Sequence, residues 1–195
     1  MFDRLVACAD VEEHVVLGSS VGFLALHGGI EPGTEGIART AAARTGGSAY
    51  VVTQPRSRGW HVPSHRIDTA AVPALAAFLA HVDVVVSVHG YYLPDQPDAI
   101  LVGGEVAPSA ADLAARLRDC VDEMPVVDDL DRIPRAMRGV DPRNPVNRSR
   151  AGGVQLELPH RARLGAAPAP VPTVPDRITT ALLGFAAGLA ATGAA

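Results

Sequence analysis

The stretch Val21-Gly22-Phe23-Leu24-Ala25-Leu26-His27-Gly28-Gly29-Ile30-Glu31-Pro32 sets the reading of the whole chain. Its first six residues carry no charge and read as a buried strand that stops at His27-Gly28-Gly29. Pro32 and Thr34 then mark the start of a helix over Glu35 to Arg44, and Gly46-Gly47 ends it. The same rhythm recurs downstream. Tyr50 to Thr53 reads as a strand, and Thr69 to His81 places apolar residues at helical spacing. Val82 to Val88 is the most strand-like run, and it stops at His89-Gly90. A strand over Ala99 to Val102, a helix over Pro108 to Glu123 and a short strand over Pro125 to Val127 follow. Arg132 to Arg150 reads as loop, broken by Pro134, Gly139, Pro142 and Pro145. Gly153 to Leu158 alternates Val154, Leu156 and Leu158 with Gln155 and Glu157, a period-two strand. Short strands alternating with helices predict an α/β layered domain. Residues 1–195 read as one domain, with a proline-rich connector over about 166–175 and a C-terminal helix over about 176–192.

Composition excludes several classes. A chain of 195 residues that is 48% hydrophobic can bury a core. A net charge of −4 and 4% aromatic residues argue against a nucleic-acid partner. Cys8 and Cys120 are far apart and in no CxxC motif, so they read as buried free thiols. Asp3, Asp10, Glu12 and Glu13 interrupt the N-terminus, which is therefore not a secretory signal. The tail from Ile178 is mostly Ala, Gly and Thr, too weakly apolar for a membrane span. The expectation is a monomer in the cytoplasm with no membrane partner; release by cell lysis is compatible with it.

Chemistry concentrates at strand ends. His27 and Glu31 flank the exit of the first strand, His89 lies at the exit of Val82 to Val88, and Glu157 lies within the Gly153 strand. Open α/β sheets bind ligands outside the carboxyl ends of their strands. That rule brings His27, Glu31 and His89 together across 62 residues of sequence. Two imidazoles and a carboxylate are a common set for catalytic zinc, with a fourth position left for water. Gly28 and Gly29 allow the turn that swings Glu31 back. Glu157, on the polar face of its strand, is the candidate base for moving the proton of an activated water. Taken singly, each residue has a plainer explanation: a structural histidine, a turn, a helix-start charge, an exposed salt-bridged glutamate. The coincidence of three strand ends favours the metal reading.

All 17 basic residues are arginine. Eight of them (Arg132, Arg135, Arg138, Arg143, Arg148, Arg150, Arg161 and Arg163) fall between 132 and 163, against Asp141 and Glu157 alone. Arginine recognises carboxylates in a bidentate manner, so this block suits an acidic substrate. Asp119, Asp122, Glu123, Asp128, Asp129 and Asp131 immediately precede it, and internal neutralisation is an equal alternative.

His27-Gly28-Gly29-Ile30-Glu31-Pro32-Gly33-Thr34 resembles the opening metal motif of the phage-type poly-γ-glutamate hydrolases, zinc enzymes related in fold to carboxypeptidase-like metallopeptidases. Further echoes come in order: His61-Val62-Pro63-Ser64 with Arg66-Ile67-Asp68, Ser87-Val88-His89-Gly90, Val102-Gly103-Gly104, Asn147-Arg148, and Gly152-Gly153-Val154-Gln155-Leu156-Glu157-Leu158. The likeness spans residues 20–163, and Pro63 stands where the family motif has a polar residue. The resemblance implies a three-layer α/β/α fold with a mixed, mostly parallel sheet. It implies one Zn2+ per chain on His27, Glu31 and His89, with Glu157 as general base. It further implies cleavage of γ-glutamyl amides in an acidic polymer, with Arg148 foremost, then Arg161 and Arg163, holding substrate carboxylates. His61 and Ser64 match a family motif and would serve as hydrogen-bond supports for the ligands. Two other readings stand beside it: a zinc deacylase of small N-acyl amino acids, and a non-catalytic module in which the arginine block docks an acidic partner.

Overall fold

Parallel strands need long crossovers, and the helices predicted between them supply those connections. The computed structural model describes residues 1–92, 98–165 and 171–193. Its strands are β1 (Glu12–Val16), β2 (Val21–Gly28), β3 (Ser48–Thr53), β4 (Val84–Tyr91), β5 (Ile100–Gly103), β6 (Val126–Val127) and β7 (Gly153–Pro159). They form a seven-stranded mixed sheet in the order β1-β3-β2-β4-β7-β5-β6. The central β3, β2, β4 and β7 run parallel; β1 is antiparallel to β3, and β5 to β7.

Helices cover both faces. On one side lie α2 (Thr34–Thr45), α4 (Ala107–Cys120) and α6 (Val174–Thr192). Their Ile37, Leu113, Leu117, Leu182 and Phe185 pack against Phe23, Val86 and Leu156 of the sheet. On the other side, α1 (Phe2–Val6) and α3 (Pro73–His81) set Phe2, Leu5, Leu75 and Phe78 against Leu24, Leu26 and Val85. A short α5 (His160–Leu164) continues directly from β7. This is the expected three-layer α/β/α arrangement.

Several expectations need correction. The N-terminal α1 and β1 were not foreseen: β1 is a mostly exposed edge strand, without the alternating burial that marks strands in sequence. The helix expected over Thr69 to His81 is a 3-10 turn, Thr69–Ala71, followed by α3, because Pro73 fits only at a helix start. The loop from Arg132 to Arg150 contains single 3-10 turns, Arg135–Met137 and Pro145–Asn147. Residues 166–170 of the expected connector lie outside the described residues. The terminal helix begins at Val174, two residues early, because Thr173 and Asp176 form a reciprocal capping box. Both cysteines are half-buried, and the Cys8 thiol donates to the Arg4 carbonyl. Every residue of β7 is buried, so its polar side is no solvent face; residues 135–147 cover it. Among the described residues, no helix is long and apolar enough to cross a membrane.

Phe185 is fully buried where α6 meets the sheet. Phe185→Ala should lower unfolding stability by about 3–5 kcal/mol, read from the urea midpoint at constant m value.

Candidate metal centre

Neighbouring parallel strands place their carboxyl ends side by side, and β2, β4 and β7 are neighbours. His89 and Glu157 are register partners and share a face with Ser87 and Gln155. His27 does not belong to that face by simple alternation. Phe23 and Ala25 pack on the α2 side, and Leu24 and Leu26 on the other. The pairing of β2 with β3 shifts between Ala25 and Gly28, and this irregularity turns His27 toward His89. Beyond it, Gly29 adopts φ +83°, and a Cβ there would lie 1.9 Å from the Gln54 carbonyl oxygen. The Glu31 amide donates to the His27 carbonyl at 2.9 Å, closing the turn that returns Glu31 to the strand ends.

The three side chains converge. His27 Nδ1 lies 2.9 Å from Glu31 Oε1 and 3.2 Å from His89 Nδ1, and His89 Nδ1 is 3.5 Å from Glu31 Oε2. All three residues are buried. Each is held from behind. His27 Nε2–H donates to the Val62 carbonyl at 2.9 Å, which leaves Nδ1 of the neutral ring with a bare lone pair. His89 Nε2 meets Ser87 Oγ at 2.9 Å, and the Gly90 amide donates to Glu31 Oε2 at 2.9 Å.

Lone pairs and a carboxylate gathered away from water repel one another unless a positive charge joins them. Burial opposes protonation of His27, yet the Glu31 carboxylate outweighs it and raises this histidine above its ordinary pKa. Burial likewise works against ionised Glu31, but His27 first, then His61 and His89, hold it well below the carboxylate range. His89 is pushed down by burial. The donor set therefore fits a divalent cation: two nitrogens and a carboxylate oxygen, within 4.8 Å of one another, at a point that already attracts positive charge.

These side chains open onto a cleft of about 760 Å3. Glu157 lines it. Burial first, and the negative charge of Glu31 second, raise its carboxyl well above the usual range; Gln155 and Arg163 act the other way. His61 lies at the exposed edge, Nε2 3.6 Å from Glu31 Oε1, with its ring stacked at 4.5 Å on His27. Ser64 lines the cleft, but among the described residues its hydroxyl holds none of the three. Ser87 and the Val62 carbonyl provide that support instead. The position of Ser87, two residues before His89 on one strand face, was the signal available.

The arginines sort differently from expectation. Arg148 is exposed and does not line the cleft. Arg161 pairs with Asp98 at 2.7 Å. Arg163 is buried and, among the described residues, donates only to backbone carbonyls, those of Leu158, Pro32 and Tyr91. It is a cross-link between β7, β4 and the loop after Glu31. Arg135, exposed on the cleft wall, has no ion pair among the described residues. Arg150 pairs with Asp83, and Arg143 with Asp141. Three of the six acids upstream of the arginine block pair outside it, Asp128 with Arg118 and Asp122 and Glu123 with Arg177.

The layers and the strand order define a carboxypeptidase-like α/β/α fold. The chain belongs to the poly-gamma-glutamate hydrolase family, whose profile matches residues 8–165. Among solved structures it is similar to a bacteriophage poly-gamma-glutamate hydrolase at 24% identity, covering 97% of this chain and 95% of that one, with a TM-score of 0.77. It is also similar to a zinc-free apo form of YNDL at 25% identity, with 95% and 91% coverage and a TM-score of 0.69. N-formylglutamate amidohydrolase from Ralstonia eutropha JMP134 shares the fold at 13% identity, with 95% and 100% coverage and a TM-score of 0.60. No curated protein is matched significantly.

The raised Glu157 carboxyl has a sign that can be measured in metal-depleted protein. A group whose folded pKa exceeds its unfolded value contributes stability below the unfolded pKa and loses it as pH rises through the folded pKa. Glu157→Gln lacks that loss. The variant should gain stability relative to the parent as pH rises from about 4.5, and the two should converge below it in denaturation curves.

Proposed function

We propose that the chain is a zinc-dependent amidase that cleaves γ-glutamyl amide bonds in an acidic polymer. The observation that carries the reading is the convergence of His27, Glu31 and His89 beside a buried glutamate on one cleft wall. When bound by those three residues, zinc supplies Lewis acidity toward a water molecule and the scissile carbonyl.

The remaining work falls to the chain's own groups. Glu157, kept from easy ionisation by burial, has the proton affinity to take a proton from the attacking water and pass it to the leaving nitrogen. Gln155 holds one of its oxygens, Oε1, at 2.9 Å. The cleft volume lies toward the upper end of the small-molecule range, roughly 300–1,000 Å3, which favours an extended chain over a lone N-acyl amino acid. Arg135 takes the substrate-binding role that the sequence suggested for Arg148, Arg161 and Arg163. Asp141, which also lines the cleft, is held down to about 2 by Arg143, which also matches its charge. Arg135 is thus left to receive a carboxylate of the substrate.

The test is a purified protein offered poly-γ-glutamate, short γ-glutamyl amides and N-acyl glutamates, with elemental analysis alongside. Glu157→Gln should keep its zinc and lose about 10²–10⁴-fold in kcat, while His89→Ala should lose the metal. Full turnover in the first variant, or unchanged zinc in the second, would overturn the assignment. Arg135→Gln should cost about ten- to hundredfold in kcat/KM for substrates with a free α-carboxylate. The same substrates with that carboxylate amidated should show little change.

A further inference from the structure

Gln155 is buried two residues before Glu157 on the same side of β7, and both ends of its amide are engaged. Its Nε2 donates to Glu157 Oε1 at 2.9 Å and to the Met137 carbonyl at 3.2 Å. Its Oε1 accepts from Asn144 Nδ2 at 2.8 Å. Neither amide is free to flip. Asn144 Oδ1 accepts from the Val146 amide at 3.3 Å, so Nδ2 must face Gln155. The Met137 carbonyl can only accept, so the Gln155 nitrogen must face it. Gly139 closes against the same side chain: it has φ +68°, and a Cβ there would lie 2.6 Å from Gln155 Cβ. Met137, Gly139 and Asn144 all belong to the rim that carries Arg135 into the cleft.

We infer that Gln155 is a positioning residue that ties Glu157 to the cleft rim over residues 135–147. One N–H holds Oε1 of the glutamate and the other holds the rim. Among the described residues no hydrogen bond holds Glu157 Oε2, which is therefore the oxygen that handles the proton. Filling a buried space between strand and rim would not require this residue type, since leucine has similar bulk. Donating twice and accepting once at this position does require a primary amide. The base and the rim arginine are thereby referenced to a single group, so substrate and base keep a set spacing. This inference rests on the hydrolase reading above.

The experiment compares Gln155→Leu, Glu157→Gln and the double variant, each with its full metal content verified. Gln155→Leu should lower kcat by about 10–100-fold. In the Glu157→Gln background the same change should leave kcat where it stands, because the two act as a unit. Backbone hydrogen exchange over residues 135–147 should accelerate in Gln155→Leu and stay unchanged in Glu157→Gln. A Gln155→Leu enzyme within twofold of the parent in kcat overturns the inference, as do losses that multiply in the double variant or a rim that exchanges at the parental rate. If Gln155→Leu does not fold, Asn144→Ala, which leaves the glutamine in place but unanchored, should give the same non-additive pattern at smaller amplitude. A parent protein that hydrolyses nothing in the amide panel overturns the hydrolase reading and this role with it. Turnover in the parent with multiplying losses overturns the positioning role alone.

Discussion

Two imidazole nitrogens 3.2 Å apart, both shielded from water and both facing one carboxylate, are the constraint around which this molecule is arranged. Left alone, such a group is an electrostatic liability, since polar ring nitrogens and a negative charge crowd together away from water. The fold holds it together by one hydrogen bond behind each group. A carbonyl anchors one ring, a strand hydroxyl the other, and a main-chain amide the carboxylate. The glycine turn after His27 and the register shift within β2 exist on the same terms, because neither imidazole would reach the other from a regular strand.

Much of this was legible from residue order. His27, Glu31, His89 and Glu157 each lie at or near the end of an apolar run, and parallel strands put such ends together whatever their sequence separation. What sequence could not disclose was facing. Period-two reading assigns His27 to the wrong side of the sheet, and only the irregular pairing between Ala25 and Gly28 restores it. It places Gln155 and Glu157 together on the polar face of their strand without showing that this face is covered. Covering by residues 135–147 is tertiary, and nothing in a proline-broken loop announces that it folds over a strand. The edge strand β1 was missed for the opposite reason: it covers nothing and so has no burial pattern to read.

The arginines teach a related lesson about charge in sequence. A block of eight looked like one feature, and the structure divides it by partner. Arg143, Arg150 and Arg161 are neutralised on the surface, Arg163 is an internal cross-link, and Arg135 alone of these five faces the cleft without an acidic partner among the described residues. Sequence proximity reports which charges share a segment; only the chain path reports which face a common volume. Buried Arg163 lies behind Gly90, where a Cβ would be 2.5 Å from its guanidinium carbon. The glycine beside His89, inside β4, is therefore demanded by packing.

The strand order has a consequence for how the molecule is assembled. All three side chains of the cation cluster are present by residue 89, on β2, the turn that follows it and β4, and these two strands are neighbours. The strand bearing the base is the last in the chain, yet it enters between β4 and β5, in the interior of the sheet. A polypeptide emerging from the ribosome thus acquires every ligand-type group early, with one flank of β4 still unpaired. Completion of the sheet and arrival of the proton-handling group are one and the same event.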